Sequence, residues 1–250
     1  MRALITGASA GLGRDIAREL AARGFDLILV ARREERLRLL AAELPVDCQI
    51  IRADLSDTAS VYELYERVRG EDIRIVVNNA GFGMFGEFAA TELTSELRMI
   101  DVNIRAVHIL TKLFLRDMKR KNRGAILNVA SSAGFMAGPL MATYYASKNY
   151  VLRLTQAIRE ELRRSGSRVR VCALCPGPVD TEFNQIANVR FTVKALTSRE
   201  VAKCAVEGIL ANRGVIVPGL QMKAALALRR FAPEALVSRI VYALQKSKNS

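Results

Sequence analysis

Arg2-Ala3-Leu4-Ile5-Thr6-Gly7-Ala8-Ser9-Ala10-Gly11-Leu12-Gly13 sets the architecture of this chain. A short apolar strand breaks into a turn through Gly7, Gly11 and Gly13, and a helix follows, with Ile16, Leu20 and Arg23 at helical spacing. Such a turn leaves backbone N–H groups and a helix N-terminus free to hold a pyrophosphate. The spacing is Gly-x-x-x-Gly-x-Gly, which departs from the G-x-G-x-x-G of the general dinucleotide fingerprint.

Further apolar strand-like runs recur at 25–30, 48–53, 73–77, 125–129, 169–175 and 215–217, separated by helical patterns such as Leu152, Thr155 and Ile158. Short, nearly continuous apolar strands alternating with helices predict a doubly wound α/β fold, with a parallel sheet of about seven strands covered on both faces. No short-period repeat, low-complexity segment or linker interrupts the pattern, so residues 1–250 are expected to form one dinucleotide-binding and catalytic domain.

Composition narrows the class. Apolar residues make up 50% of the chain, yet no run approaches the roughly 20 unbroken apolar residues that span a bilayer. The first strand runs at once into its glycine turn without a charged segment and cleavage site, and a cytoplasmic location is expected. Cys172 and Cys175 form a C-x-x-C, but in a buried strand an odd separation sends their side chains to opposite faces, which argues against a redox or metal pair. His108 has no partner cluster for a metal or a triad and is expected in the core. The net charge of +13 favours anionic partners or simply makes a solvated basic surface, and no helix-turn-helix or RNA-reading motif accompanies it, so no nucleic acid is expected.

Tyr144-Tyr145-Ala146-Ser147-Lys148, preceded by Ser131, carries the chemistry. A tyrosine and a lysine four apart share one helix face, so the ammonium is expected to lower the Tyr144 pKa and make the phenol a usable acid or base. Tyr145 lacks the four-residue offset. With the phosphate-cradling turn upstream, this set points to nicotinamide-dependent carbonyl chemistry, and no metal is called for.

The turn Thr6 to Gly13 resembles the T-G-x-x-x-G-x-G loop of the short-chain dehydrogenase/reductase family. Further motifs follow in order: Asp54-Leu55, Asn78-Asn79-Ala80-Gly81, Asp101-Val102-Asn103, Ser131 with Gly134, Tyr144 with Lys148, and Pro176-Gly177. The resemblance implies four catalytic residues. Tyr144 is the proton donor, Ser131 holds the substrate oxygen, and Lys148 lowers the tyrosine pKa and binds the nicotinamide ribose. Asn103 anchors a water that links the lysine to solvent. It further implies a cofactor site of Gly7, Ser9, Gly11, Leu12, Gly13, Asp54, Leu55, Asn79, Ala80, Gly81, Pro176, Gly177, Val179 and Thr181, joined by Tyr144 and Lys148.

An NAD site has an acidic residue about 20 positions past the glycine turn, where an NADP site needs cations for the 2′-phosphate. Here the second strand ends in Val30-Ala31-Arg32-Arg33 with no acid before Glu34, which predicts NADP(H). Capping of a helix by these arginines is disfavoured, because cations at a helix start oppose its dipole.

A substrate lid is expected around 181–195, where Phe183, Ile186, Val189 and Phe191 offer an apolar wall interspersed with Asn184, Gln185 and Arg190. A basic helical extension is expected around 219–246, with Leu236, Val237, Ile240, Val241 and Leu244 on one face and Lys223, Arg229, Arg230, Arg239, Lys246 and Lys248 against the single Glu234. Closure over the substrate pocket or an oligomer interface is the favoured reading of that face, and peripheral contact with an anionic membrane is the other. The expected activity is NADPH-dependent reduction of an apolar ketone or aldehyde, such as a 3-oxoacyl thioester. Oxidation of an alcohol or sterol by the same residues, or a nicotinamide-binding regulatory role on membrane or nucleic acid, is the alternative. The family resemblance also implies a homodimer or homotetramer built through long helices near 97–120 and 144–164.

Overall fold

The computed structural model describes residues 1–182 and 195–246. Its centre is a seven-stranded parallel sheet in the order β3-β2-β1-β4-β5-β6-β9. The strands are β1 (Arg2–Thr6), β2 (Asp26–Ala31), β3 (Cys48–Arg52), β4 (Ile73–Asn78), β5 (Ala125–Val129), β6 (Arg170–Leu174) and β9 (Val215–Ile216). Each falls within one residue of the run that predicts it. A small second sheet pairs β7 (Val179–Asp180) with β8 (Leu196–Thr197), which the sequence did not suggest because two-residue strands carry no periodicity.

The period of two explains the layers. On β1 and β2, Ala3, Ile5, Leu27 and Leu29 face α1 (Gly11–Ala21) and α7 (Ser198–Leu210), whereas Leu4, Ile28 and Val30 face the opposite layer. That layer holds α3 (Thr58–Val68), α5 (Val107–Lys121) and α6 (Ala142–Arg164). Cys172 packs in the first layer and Cys175 in another cluster beside Val151 and Leu152, as the odd spacing requires. Burial pushes these thiols up to about 11 and about 12, so neither is a thiolate near neutral pH.

Between β1 and β4 the strand order reverses direction, and the crevice outside the carboxyl ends of these strands receives the glycine turn. α2 (Glu34–Glu43) follows β2, and α4 (Leu93–Ile100) runs through a π-helical turn (Asp101–Ala106) into α5. Beyond β9 come α8 (Leu220–Arg229) and α9 (Glu234–Lys246).

His108 corrects an expectation. It is exposed, and its Nδ1 lies 2.6 Å from the Tyr150 hydroxyl on α6. The buried stripe of α5 is Val107, Leu110, Thr111, Phe114 and Met118, and position 108 turns away from it.

Candidate active site

One cavity of about 770 Å³ opens at the carboxyl ends of the central strands. Every cofactor and catalytic residue expected from the sequence lines it except Asn103, which is fully buried behind it. The expected lid wall of Phe183, Ile186, Val189 and Phe191, with Asn184, Gln185 and Arg190, lies outside the described residues, as does Lys248.

The turn after β1 is held by the end of β4. Asn79 donates from Nδ2 to the carbonyl oxygens of Thr6 (2.9 Å) and Gly7 (3.3 Å), and the Thr6 hydroxyl accepts from the backbone N–H groups of Asn79 and Ala80. A Cβ on Gly13 would lie 2.3 Å from the Gly7 carbonyl oxygen and 2.4 Å from Asn79 Nδ2. Only glycine lets the helix start this close to the strand, leaving the turn's amides as an anion cradle.

Arg32 and Arg33 line the same cavity. Arg33 is the N-cap of α2, but its side chain makes no capping bond and reaches toward the Ser9 hydroxyl instead, at 3.3 Å. A carboxylate from far along the chain joins it: Glu182 accepts from Arg33 Nη1 at 2.9 Å and from Arg36 Nη1 at 2.5 Å. Arg36 and Glu182 were not singled out from sequence, because 146 residues separate them and only folding brings them together. At Asp54, burial works against ionisation but hydrogen bonds from Ser56 and the charges of Arg32 and Arg98 prevail, holding the carboxyl below its ordinary value.

At the start of α6 the Tyr144 side chain is hydrogen-bonded to Ser131, which distinguishes this pair from their neighbours. Ser132 instead donates its backbone N–H to Pro176 O at 2.8 Å, and the Tyr145 hydroxyl accepts from Gln245 Nε2 at 2.8 Å. Lys148 is buried, donates to Val129 O at 2.9 Å, and sits 5.8 Å from the centroid of the Tyr144 ring. The expected lowering of the Tyr144 pKa is not observed. Burial pushes the phenol up to about 12, with the Ser131 hydrogen bond pulling the other way and the neighbouring Tyr145 adding to the rise.

Burial also drives Lys148 down from 10.5 to about 8. Below pH 8 the ammonium is protonated in folded and unfolded chains, so its burial penalty is fully present. Between about 8 and 10.5 the unfolded chain binds more protons, so stability rises with pH and the penalty disappears. At about 1.4 kcal/mol per pH unit that penalty is roughly 3 kcal/mol, against about 1 kcal/mol for the bond to Val129 O. Lys148→Met is therefore expected to stabilise the cofactor-free protein by about 2 kcal/mol at pH 7 and to lose that gain by pH 10–11, as urea unfolding at both values would read. Equal stability of the two proteins at pH 7 would contradict a buried charge.

Asn103 sits on the π-helical turn, where its Nδ2 donates to Phe82 O (2.9 Å) and the Ser147 hydroxyl (3.1 Å) and its Oδ1 accepts from Phe82 N (3.1 Å). A Cβ on Gly81 would lie 2.9 Å from Asn103 Oδ1 and 3.3 Å from Lys148 Nζ, so bare backbone there lets amide and ammonium approach together. Local residue pattern does not mark the π turn that aims Asn103.

The remaining wall is apolar. Met136 and Met141 come from the segment before α6, and Met222, Leu226 and Val241 come from α8 and α9. Residues of the extension thus line the cavity, and its stripe divides: Val237, Val241 and Gln245 are buried, while Leu236, Ile240 and Leu244 are about half exposed.

A family model described as short chain dehydrogenase matches residues 1–190. A short-chain dehydrogenase from Sphingobium yanoikuyae, solved in complex with NADPH, is 33% identical and superposes with a TM-score of 0.84 over 95% of each chain. A short-chain dehydrogenase/reductase from Burkholderia phymatum in complex with NAD is 27% identical, with a TM-score of 0.83 over 91% of this chain and 92% of that one. The very-long-chain 3-oxoacyl-CoA reductase of Anas platyrhynchos is 31% identical over 76% of this chain and 63% of its own. With the glycine turn, the doubly wound sheet and the matched length in agreement, this chain belongs to the short-chain dehydrogenase/reductase family and is an oxidoreductase of that type.

Proposed function

We propose that this chain is an NADPH-dependent reductase of ketones or aldehydes on apolar compounds, with 3-oxoacyl thioesters and related lipid carbonyls as the substrate class. The observation that carries the reading is the Tyr144 phenol, bonded to Ser131 and facing an apolar-walled cavity with the Lys148 ammonium beside its ring. At about 12 the phenol holds its proton at neutral pH and is ready to donate it to a carbonyl oxygen as that oxygen gains charge. Ser131 donates a second hydrogen bond to the same oxygen and orients it. Lys148, protonated at pH 7, holds ribose hydroxyls and relays a proton back toward Tyr144, with Asn103 positioning it through Gly81 and Ser147. When bound, the nicotinamide supplies the hydride that reaches the carbonyl carbon.

The groups present fit that cofactor. The glycine turn offers amides to a pyrophosphate, and Arg32 and Arg33 offer guanidinium donors beside Ser9 to a 2′-phosphate. A carboxylate, Glu182, is already bound at this position between Arg33 and Arg36, in keeping with an anion site. Residues 1–250 are proposed to act as one catalytic unit, assembled as a homodimer or tetramer through the exposed side of α4, α5 and α6 near Leu97 and Tyr150. The lipid class rests on the apolar wall and on similarity to the 3-oxoacyl-CoA reductase.

The test is NADPH oxidation with a series of straight-chain 3-oxoacyl thioesters. KM is expected to fall as the chain lengthens, at about threefold or more per buried methylene until the wall is covered. Activity confined to short polar carbonyls would overturn the substrate class.

A further inference from the structure

The helices α8 and α9 have two working sides. Met222, Leu226, Val241 and Gln245 turn inward and line the cavity. Leu220, Ala224 and Leu228 fall four residues apart on α8 and share one outer stripe, and Phe231 follows in the turn after the helix. Three of them are strikingly bare for large apolar groups in water: Leu220 is 82% exposed, Leu228 70% and Phe231 88%. On α9, Leu236 and Ile240 are half exposed beside the buried Val237 and Val241, while Leu244 reaches the rim of the cavity.

The charge on this side has one sign. Lys223, Arg230 and Arg239 are exposed and form no salt bridge among the described residues. Glu234 is the only acid between 219 and 246, and its exposed carboxylate is already engaged: it accepts from the Ala137 backbone N–H at 3.3 Å and from Arg229 at 2.5 Å. The outer surface therefore combines bare leucines and a phenylalanine with unpaired cations, within a chain of net charge +13. Apolar groups inserted below cations are the chemistry of an anionic lipid interface, where long basic side chains reach the headgroups. A second copy meeting this patch about a two-fold axis would gather Lys223, Arg230 and Arg239 of both copies in one seam, where the one nearby acid of each, Glu234, is already paired with Arg229. Nucleic acid would satisfy the cations and leave Leu220 and Leu228 in water.

We propose that the outer side of α8 and α9 docks on an anionic lipid surface, with Leu220, Leu228 and Phe231 inserted and Lys223, Arg230 and Arg239 at the headgroups. This docking is independent of the activity proposed above. Entry of an acyl chain through this wall into the cavity rests on that activity.

Flotation of the full chain with vesicles of phosphatidylcholine, with and without phosphatidylglycerol, at low and high salt, tests the proposal. Wild-type protein is expected to float with the anionic vesicles at low salt and to do so less as salt rises. Leu228→Ser with Phe231→Ser should reduce binding more than tenfold, and Lys223→Gln with Arg230→Gln roughly 25-fold, at about fivefold per cation. All substituted side chains are exposed, and unchanged NADPH fluorescence would verify that both variants remain folded. Failure of the wild type to float, equal flotation of either variant, or self-association through Leu228 and Phe231 in sedimentation without vesicle binding would overturn it. Loss of turnover with flotation intact would instead count against the proposed activity.

Discussion

Tyr144→Phe is expected to lower kcat for carbonyl reduction by about 10²–10⁴, the range contributed by a positioned general acid, while NADPH affinity changes by less than about twofold. The substitution keeps the ring that packs edge-on against Tyr145, at 6.1 Å between centroids, and removes only the hydroxyl bonded to Ser131. Single-turnover reduction and nicotinamide fluorescence on the same preparation separate the two effects. Tyr145→Phe is the matched control, since it loses only the bond from Gln245 and should move KM more than kcat. Undiminished turnover in Tyr144→Phe would remove the phenol from the mechanism and leave the Ser131–Tyr144 contact as packing.

Arg32→Ala with Arg33→Ala is expected to weaken NADPH binding by about 30- to 150-fold, with NADH binding little changed, so that the preference between them collapses. Each guanidinium–phosphate bond is worth roughly 1.5–3 kcal/mol when shielded, and the pair is discounted here to about 2–3 kcal/mol because the Arg33 side chain is 44% exposed. Glu182 makes the experiment sharper. Its carboxylate occupies the guanidiniums of Arg33 and Arg36, so Glu182→Gln should tighten NADPH binding by several-fold by removing an internal competitor. Fluorescence titration with both nucleotides reads all three proteins. Equal affinity of the wild type for NADPH and NADH would overturn the cofactor assignment and turn Glu182 into an acceptor for a ribose hydroxyl.

Most of the fold was legible because it depends on short-range patterning. The strand runs gave their positions to within a residue, and the odd spacing of Cys172 and Cys175 gave their opposite faces. His108 was misread as core although the α5 stripe of Val107, Leu110, Phe114 and Met118 already excluded position 108. That error came from reasoning about a lone residue type and not about its helix. The effect of Lys148 on Tyr144 was misjudged for another reason. The i, i+4 spacing brings ammonium and ring onto one face, but it says nothing of how deeply the phenol is buried, which is what raises its pKa.

Residue order alone sets the glycine turn, the alternation of strand and helix, and the phenol four residues ahead of an ammonium, because each is a local pattern with its own steric or periodic cause. Packing of distant segments sets the rest. It turns α8 and α9 into a cavity wall with a bare outer face, it brings Glu182 between Arg33 and Arg36, and it joins Ser131 to Tyr144 by a hydrogen bond. These are contacts between side chains tens to hundreds of residues apart, and no local propensity encodes which of many compatible partners a chain will meet when its layers close.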